Sequence, residues 1–491
     1  MLIDEKKQSI PFRMFNQKMR FIATSTLAIM LTGCAVGPNY DGPPNEIYKP
    51  LHNVTTLGNN EALQNLQVLD RWWINFNDPE LNTIIEQVLK QNLDLEASLA
   101  RIQQSRAAAQ YAGAKLMPTV DSYASSARTR ESLESPTGAI ASNFPGYNRN
   151  VTLNDVGVGA SWEIDLFGGL QRGEEAARAG AEAANAAHLG IRVSVSADAA
   201  DAYFQIRGLQ EQLSIVSHMV EINTQVLSLV KMRQHYGIAN ERDIAHAEAS
   251  LQSTQANIPL LRLALEAQCN RLDVLLGVQP GTYAAVKLTP TSHIASIPEL
   301  SNSLTVSDIL HRRPDIIAAE RKLAAANANI GVATSDYYPK FSLSGILGFE
   351  SMNSHNLFTS STFQPQIVSG LRWRLFDFGK VDAEVMQAKG AHAEALAVYR
   401  QSVLRATEDV ENAFTAFSQY KIQSEVLRKK EVALTHAYAL AQADYKEGII
   451  SSIEELSSQS EMLSASNELS KANTDTFRSV VASYRSIGGG W

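Results

Sequence analysis

Several residue types that carry chemistry are scarce in this chain of 491 residues. It has only two cysteines, Cys34 and Cys269, so we expect no disulfide framework. Its ten histidines form neither an H-E-x-x-H motif nor a Cys-His metal spacing. No glycine-rich phosphate loop follows a strand pattern, which argues against nucleotide hydrolysis. We therefore expect the protein to be neither an enzyme nor a metal protein.

Positive charge and long apolar runs are also lacking. The net charge is −8, which argues against a nucleic-acid partner. After residue 33, no stretch approaches the roughly 18 apolar residues of a membrane helix, so any membrane-spanning part must consist of strands. Aromatic residues make up 7% of the chain, which suits long helices packed through small side chains.

Residues 1–33 have the features of a lipoprotein signal peptide. A basic flank precedes an apolar run from Phe21 to Leu31, which is too short to span a membrane. The run ends in Leu-Thr-Gly-Cys, which resembles a bacterial lipobox and predicts that Cys34 is lipidated and begins the mature protein. Ala35 after it resembles the signal for outer-membrane sorting. The alternative is a plain signal peptide with an incidental cysteine.

The chain contains one strand-to-helix joint twice. Before each joint, mostly apolar positions alternate with polar or small ones: Val156, Val158, Ala160, Trp162, Ile164 and Leu166 in the first copy, and Ile367, Ser369, Leu371, Trp373 and Leu375 in the second. This period of two indicates strands. Both copies end in W-x-[IL]-x-x-F-G, and a long helical pattern follows. The charged positions Glu163, Asp165, Arg372 and Arg374 fall on the opposite face and would line water.

The similarity extends beyond the joints and predicts two tandem repeats. Positions match at an offset of 221 before the strands (Asp94 with Asp315, Pro118 with Pro339) and of 211 after them (Tyr203 with Phe414, Gly237 with Gly448). The predicted order is the signal peptide (1–33), a lipidated tether (34–77), repeat one (78–277), an irregular linker (278–305), repeat two (306–487) and a tail (488–491). Each repeat has a first helix, two strands and two long helices, with strands at ~119–130, ~154–166, ~340–350 and ~366–376 and long helices at ~169–236, ~240–277, ~379–447 and ~452–486.

Four strands of membrane-spanning length cannot close a barrel in one chain. Bacterial barrels have at least about eight strands, and an open strand edge in lipid leaves costly unpaired backbone groups. We therefore expect oligomerisation, and three chains would supply twelve strands. The alternative is a soluble two-layer protein with the same alternation.

Several motifs are together typical of one family. They include Cys34-Ala-Val-Gly-Pro-Asn-Tyr40, Trp72-Trp73 through Asp78-Pro79-Glu80-Leu81, Asn270-Arg271-Leu272, Arg312-Arg-Pro-Asp-Ile316, Ile330-Gly331 and the ending Gly-Gly-Gly-Trp491. On these, the chain resembles outer-membrane factors of the TolC/OprM type, in the NodT lipoprotein branch. The resemblance implies a mainly α fold with a transmembrane β section: a homotrimer with a 12-stranded barrel continuous with a periplasmic helical barrel. It also implies a periplasmic adaptor and an inner-membrane transporter of the RND type as partners.

The gate is expected at the two helix tips, where Gly237 and Gly448 turn the chain back. Asp243 and Glu454 follow these turns, and in a trimer each would form a ring of three like charges. The resemblance implies that such residues form the constriction, and Tyr445 matches a family position at the same tip. Ile450 stands where some members have a gating Arg, and Arg242 is a candidate substitute. The alternative is that Asp243 and Glu454 are ordinary solvated helix residues.

The expected function is a passive exit duct of a tripartite efflux pump, lipid-anchored in the bacterial outer membrane and extending into the periplasm. The only expected cofactor is the covalent lipid on Cys34. Two alternatives remain open: the exit duct of a type I protein-secretion system, and a lipid-anchored coiled-coil scaffold without a pore.

Overall fold

A computed structural model of the protein describes residues 35–43, Leu51, 67–288, 295–298 and 312–491. The predicted signal peptide, Cys34, and parts of the predicted tether and linker lie outside the described residues.

The described residues form seven helices of more than ten residues, four strands and a few short helical turns. The helices are α1 (Pro79–Gln91), α2 (Leu93–Ala114), α3 (Gly169–His235), α4 (Glu241–Leu275), α5 (Pro314–Ser335), α6 (Lys380–Lys446) and α7 (Ser452–Ser486). The strands are β1 (Thr119–Arg130), β2 (Asn150–Ile164), β3 (Lys340–Ser351) and β4 (Phe363–Arg372).

The chain divides into two compact units. One contains Gln104–Ala181, Arg321–Leu396 and the residues up to Pro43, and therefore holds the strands and the strand–helix joints. The other contains Pro44–Gln103, Glu182–Glu320 and Ala397–Trp491, and holds the helix tips.

In the first unit, the four strands form one antiparallel sheet in the order β1-β2-β3-β4. The register puts apolar positions of neighbouring strands opposite each other, for example Val158 with Leu347 and Ile164 with Phe341. These positions therefore form one largely apolar face. Because side chains alternate along a strand, the polar positions fall on the other face.

Two strands end earlier than the sequence pattern predicted. The alternation placed their ends near residues 166 and 376, but β2 ends at Ile164 and β4 at Arg372. Asp165 leaves the sheet because its carboxylate accepts a 2.7 Å hydrogen bond from the Gln171 backbone N–H, in the first turn of α3. Arg374 leaves because its guanidinium binds Asp336 and Glu384. The strand assignment of Asp165 and Arg374 is thus corrected.

The first helix of repeat one is also corrected, from one helix to two. Asn92, between α1 and α2, has an extended backbone conformation. Its side chain accepts hydrogen bonds from the Asp94 and Leu95 backbone N–H groups and donates one to the Leu275 carbonyl oxygen. Helix capping by an Asn side chain therefore interrupts a pattern that looked continuous.

The second unit has a small aromatic core. Trp72 stacks on Tyr484, with ring centroids 5.2 Å apart, and Phe204 stacks on Phe477 at 4.7 Å. Next to this core, the Asp78 side chain accepts hydrogen bonds from the first turn of α1 and caps the start of that helix. Elsewhere small side chains are buried alongside aliphatic ones, and Ala199, Ala200 and Ser196 of α3 are fully buried.

Several elements have a partner of equal length later in the chain. The pair α2 and α5 have 22 residues each, and β1 and β3 have 12. The pair α3 and α6 have 67 residues each, and α4 and α7 have 35. The later element begins 221 positions after the earlier one for α2 and β1, and 211 positions after it for α3 and α4. These offsets equal those of the matched residues in the sequence.

By length and composition alone, α3 is also apolar enough to cross a membrane. It contains an 18-residue window of mean hydropathy 1.2, of which 17% is buried. The sequence analysis did not single it out because polar residues interrupt the apolar ones.

Candidate functional site at the helix tips and the strand ends

Both helix tips have the same backbone geometry. Gly237 has φ 73° and Gly448 has φ 72°, the left-handed conformation that favours glycine. The N–H of the residue after each glycine donates a 2.8 Å hydrogen bond, Ile238 to the Arg233 carbonyl and Ile449 to the Asp444 carbonyl. This pattern is a Schellman motif, which satisfies the last carbonyls of α3 and α6.

The predicted gate carboxylates cap the helices that follow these turns. The Asp243 carboxylate accepts a hydrogen bond from the Asn240 backbone N–H, and the Asn240 side chain accepts one from the Asp243 N–H. Ser451 and Glu454 form the same reciprocal pair, and the Ser451 hydroxyl also donates to Glu454. At both tips, a capping box therefore begins the helix that follows the turn, and this is a local role that the sequence analysis did not assign to the two carboxylates.

The charges at the tips are exposed. Hydrogen bonds from the backbone and hydroxyl of Ser451 lower the pKa of Glu454, and nearby Arg233 lowers it further. Arg242 lies beside Asp243, with Nη2 3.9 Å from Oδ1, too far for a strong ion pair. Arg233, in the last turn of α3, is a cation near Glu454 that the sequence analysis missed, because the two residues are far apart in the chain.

Apolar side chains are also exposed at the tips. Tyr236 is 72% exposed, Ile238 66% and Ile449 70%, and Tyr445 is partly exposed. Such residues at the end of a helical hairpin form a surface that a partner could cover.

The polar face of the sheet carries two of the four predicted lumen residues. The register puts Glu163 opposite Ser342 and Arg372 opposite Lys340, on the face away from the paired apolar positions. The other two, Asp165 and Arg374, lie beyond the strand ends.

The two strand–helix joints share one hydrogen bond. The Trp162 indole Nε1 donates to the Leu116 carbonyl oxygen, and the Trp373 Nε1 donates to the Tyr337 carbonyl oxygen, both at 2.9 Å. Trp373 lies 211 positions after Trp162, and Tyr337 lies 221 positions after Leu116. Each tryptophan thus connects the end of a strand to the end of the helix before the sheet.

The tether is held at the first joint by a side chain that the sequence analysis did not identify. The Arg172 guanidinium donates to the carbonyl oxygens of Val36 and Gly37 and, at 2.6 Å, to the Asn39 side chain. The backbone passes close enough to Gly331 that a Cβ on Gly37 would lie 2.5 Å from the Gly331 Cα. The G-P-N motif and the Ile330-Gly331 motif, far apart in the sequence, therefore meet here.

The sequence analysis also did not identify two buried polar side chains of the second unit, Tyr203 and Arg313. The Tyr203 hydroxyl donates to the Asp78 carboxylate at 2.8 Å, and burial raises the pKa of Tyr203. Arg313 is also buried and pairs with Asp315 and Asp409 beside a cavity of about 560 Å³. Among the described residues, no group of three or more His, Cys, Asp or Glu side chains could hold a metal ion.

Comparisons with known proteins agree on one family. The family model for outer membrane efflux proteins matches residues 84–278 and 305–489. The pyoverdine export outer membrane protein OpmQ of Pseudomonas putida is 31% identical, over 86% of this chain and 88% of that protein. Nodulation protein T of Rhizobium leguminosarum bv. trifolii is 28% identical, over 90% and 91%. The structure of the outer-membrane channel OprN is similar with a TM-score of 0.80 and 33% identity, covering 93% of this chain and all of that one.

Proposed function

The chain belongs to the outer membrane efflux protein family, and we propose that three copies of it share one twelve-stranded transmembrane barrel. The resemblance to this family and to its NodT branch is confirmed, and the protein is an outer-membrane channel of a tripartite efflux pump. The family is one of transport proteins rather than enzymes. The trimer, the tandem duplication, the gate, the lipid and the partners of this chain are our proposals.

The observation that carries the shared barrel is the sheet itself, and the number of three copies follows the resemblance to the family. Within the described residues, β1 and β4 are edge strands. In lipid, each unpaired backbone group at such an edge costs several kcal/mol. Four strands are too few to close on themselves, and the smallest bacterial barrels have about eight. Three copies supply twelve strands and remove every edge.

We propose that the chain arose by duplication of one helix–strand–strand–helix–helix unit. The equal lengths of α3 and α6 and of α4 and α7, at the same offset of 211, support this. The repeated tryptophan hydrogen bonds at the two joints support it independently.

The duct is closed, in our proposal, at the helix tips. Three copies bring three Asp243 and three Glu454 carboxylates to the periplasmic end, where a ring of like charges attracts cations and repels itself. Arg233 is a better candidate than Arg242 for the opposing charge, because it acts on Glu454 from another hairpin. The exposed apolar residues Ile238 and Ile449 would be covered by the periplasmic adaptor, which links the channel to an inner-membrane transporter of the RND type.

We further propose that Cys34 carries a covalent lipid. Cys34 lies outside the described residues, but Ala35 lies against Gly168, where a Cβ would be 2.6 Å from the Ala35 Cα. Gly168 follows β2 by four residues, so the tether begins at the end of the membrane-spanning strands. A lipid attached there would enter the inner leaflet without a long spacer. The lipid is the one attached group that we propose, and the cargo is a small molecule delivered by the pump.

The trimer is tested by the detergent-corrected mass of protein extracted from outer membranes, measured by light scattering. We expect the mass of three chains, and channels in planar bilayers. A stable monomer would contradict the shared barrel and favour the lipid-anchored scaffold. Loss of drug efflux with normal protein secretion in a deletion strain separates the efflux duct from a type I secretion duct.

The gate is tested by separating charge from helix capping. Asp243→Asn with Glu454→Gln removes both charges and keeps acceptors for the capping boxes. Asn240→Ala with Ser451→Ala keeps the charges and removes the caps. We expect the first double variant to lower cation selectivity and change single-channel conductance, and the second to leave selectivity close to that of the natural protein. Equal effects of the two would mean that the carboxylates act only as caps.

A further inference from the structure

One large side chain lies flat on the polar face of the sheet. Among the described residues of β1, Tyr123 alone is partly buried, although β1 is an edge strand. Tyr123 pairs with Gly157 of β2, and Gly157 pairs with Gly348 of β3, so the three residues form one row across the sheet. The row is on the same face as Glu163, because residues 157 and 163 are an even number of positions apart along β2.

The two glycines provide the space in which the tyrosine ring lies. A Cβ on Gly157 would be 2.7 Å from the hydroxyl oxygen of Tyr123 and 2.9 Å from its Cζ. A Cβ on Gly348 would be 3.1 Å from the same hydroxyl oxygen. The ring therefore crosses β2 and ends over β3, and a side chain at position 157 would force it off the sheet.

The hydroxyl at the end of the ring has polar partners on the same face. Asp155 and Glu350 are directly opposite each other, next to the row on the side of the strand–strand loops. The Tyr123 hydroxyl interacts with both carboxylates. Like charges directly opposite each other across a sheet repel, so a hydroxyl donor beside them stabilises the pair and holds the ring in place.

This contact belongs to the first hairpin and not to the repeated unit. At the offsets of 221 and 211, the second repeat has Ser344 and Val368 in place of Tyr123 and Gly157, and these two residues also pair with each other. A hairpin of this kind therefore forms without a tyrosine on a glycine, and each chain carries the contact once.

We propose that Gly157 and Gly348 hold Tyr123 against the wall of the duct and thereby set the size of the largest molecule that the barrel admits. The inference rests on the proposed shared barrel, in which the polar face lines the lumen. Twelve strands about 4.8 Å apart and tilted by about 40° form a ring about 24 Å across between backbones. Three upright tyrosine rings would narrow this passage from three sides, whereas three flat ones leave it open.

The bore can be measured with a thiol placed beyond the row, nearer the helices. Ser342→Cys puts a thiol on the polar face, about 20 Å along β3 from Gly348. Leu343→Cys, one residue further on, puts it on the apolar face. In whole cells, a membrane-impermeant maleimide should label Ser342→Cys through the lumen and should not label Leu343→Cys. The natural cysteines do not interfere, because Cys269 is buried and Cys34 is the proposed lipid site.

Each variant is made in the Ser342→Cys background and labelled with two reagents. One is a small maleimide, and the other is a maleimide on the longest polyethylene glycol chain that still reacts in this background. Gly157→Ala should leave the rate of the small reagent nearly unchanged and slow the large one several-fold, because the displaced ring stands in the lumen. Adding Tyr123→Ala to Gly157→Ala should restore the rate of the large reagent.

Gly159→Ala is the matched control, on the same strand and the same face. Among the described residues, the nearest atoms to a Cβ there are the Gly345 carbonyl oxygen at 3.9 Å and the Ile346 Cγ1 at 4.0 Å, which are ordinary contact distances. This variant should change neither rate. If Gly157→Ala does not reach the outer membrane, Gly348→Ala with the same Tyr123→Ala rescue makes the same test.

Equal rates for Gly157→Ala and Gly159→Ala with the large reagent would overturn the role of Tyr123. Slow labelling that persists after Tyr123→Ala is added would also overturn it, because the narrowing would then not come from the ring. Labelling of Ser342→Cys that is no faster than that of Leu343→Cys would instead contradict the polar face as the lumen, and with it the shared barrel.

Discussion

The hydrogen bond from Tyr203 to Asp78 provides the sharpest test of what stabilises the second unit. Tyr203 is 2% exposed and Asp78 is 4% exposed, and the tyrosine hydroxyl donates to one carboxylate oxygen, Oδ2. The other oxygen, Oδ1, accepts from the Glu80 and Leu81 backbone N–H groups at the start of α1. Burial raises the pKa of Tyr203, so the hydroxyl remains a donor throughout the neutral range. Tyr203→Phe removes this donor to Asp78, together with the longer 3.4 Å contact of the hydroxyl with Glu80 and its hydrogen bond with Arg207, and keeps the ring.

The size of the effect follows from the charge on the acceptor. A hydrogen bond to a charged group contributes about 1.5–3 kcal/mol, and the loss leaves one oxygen of a buried carboxylate without its donor. Tyr484→Phe is the matched control, because Tyr484 is similarly buried and its hydroxyl accepts a hydrogen bond from the neutral Asn75 side chain at 3.2 Å. Such a neutral bond contributes about 1 kcal/mol. We expect a loss of roughly 2 kcal/mol for Tyr203→Phe and about half of that for the control.

The assay is a guanidinium titration of the purified protein in detergent, followed by the helical circular-dichroism signal and compared at equal protein concentration. The natural protein and both variants should have the same slope, so the midpoints report the stability difference directly. Equal losses in the two variants, or a larger loss for Tyr484→Phe, would refute the reasoning that the charge of Asp78 sets the magnitude.

Three further predictions follow from single contacts. Gly37→Ala and Gly42→Ala both place a side chain at positive φ, a strain of about 1 kcal/mol, but only Gly37→Ala brings a Cβ against Gly331. Limited proteolysis should therefore release the tether faster in Gly37→Ala than in Gly42→Ala. Equal rates would count against the docked tether. The pKa of Glu454 lies below its usual 4.5, so its capping contribution is complete above that pH and is lost as the pH falls through the lower folded value. Amide protection at the tip, corrected for the intrinsic exchange rate at each pH, should therefore fall there in the natural protein and not in Glu454→Gln. Burial raises the pKa of Cys269 to about 11, so a maleimide at pH 8 should label it only after denaturation, and rapid labelling of the folded protein would show that the helix face is open.

The function and the four strands could be approached from the sequence because both rest on local or repeated patterns. Alternation of side chains along a strand is a property of the backbone, and so is the need for glycine at positive φ in Gly237 and Gly448. The offset between the repeats is visible as soon as the two joints are aligned. Asp243 and Glu454 were identified as tip residues by their distance from the turns, but the sequence analysis did not predict that they cap helices.

The elements that the sequence analysis got wrong depend on side-chain contacts that the pattern of apolar and polar residues does not show. Arg374 continues the alternation but is drawn from the strand by Asp336 and Glu384. Asn92 interrupts a helical pattern because its side chain also reaches Leu275. Neither partner can be inferred from the neighbouring residues.

The sequence by itself therefore determined the periodicities, the turns and the repeated spacing of matched residues, since each is written in the order and spacing of residue types. Only the tertiary structure decided where the strands stop, that Arg172 holds the tether, and which residue faces which across the sheet. The last two outcomes depend on packing between segments more than a hundred residues apart, and the strand ends depend on side-chain partners in the adjoining helices and turns. In each case one side chain is satisfied by whichever group the fold brings within hydrogen-bonding distance.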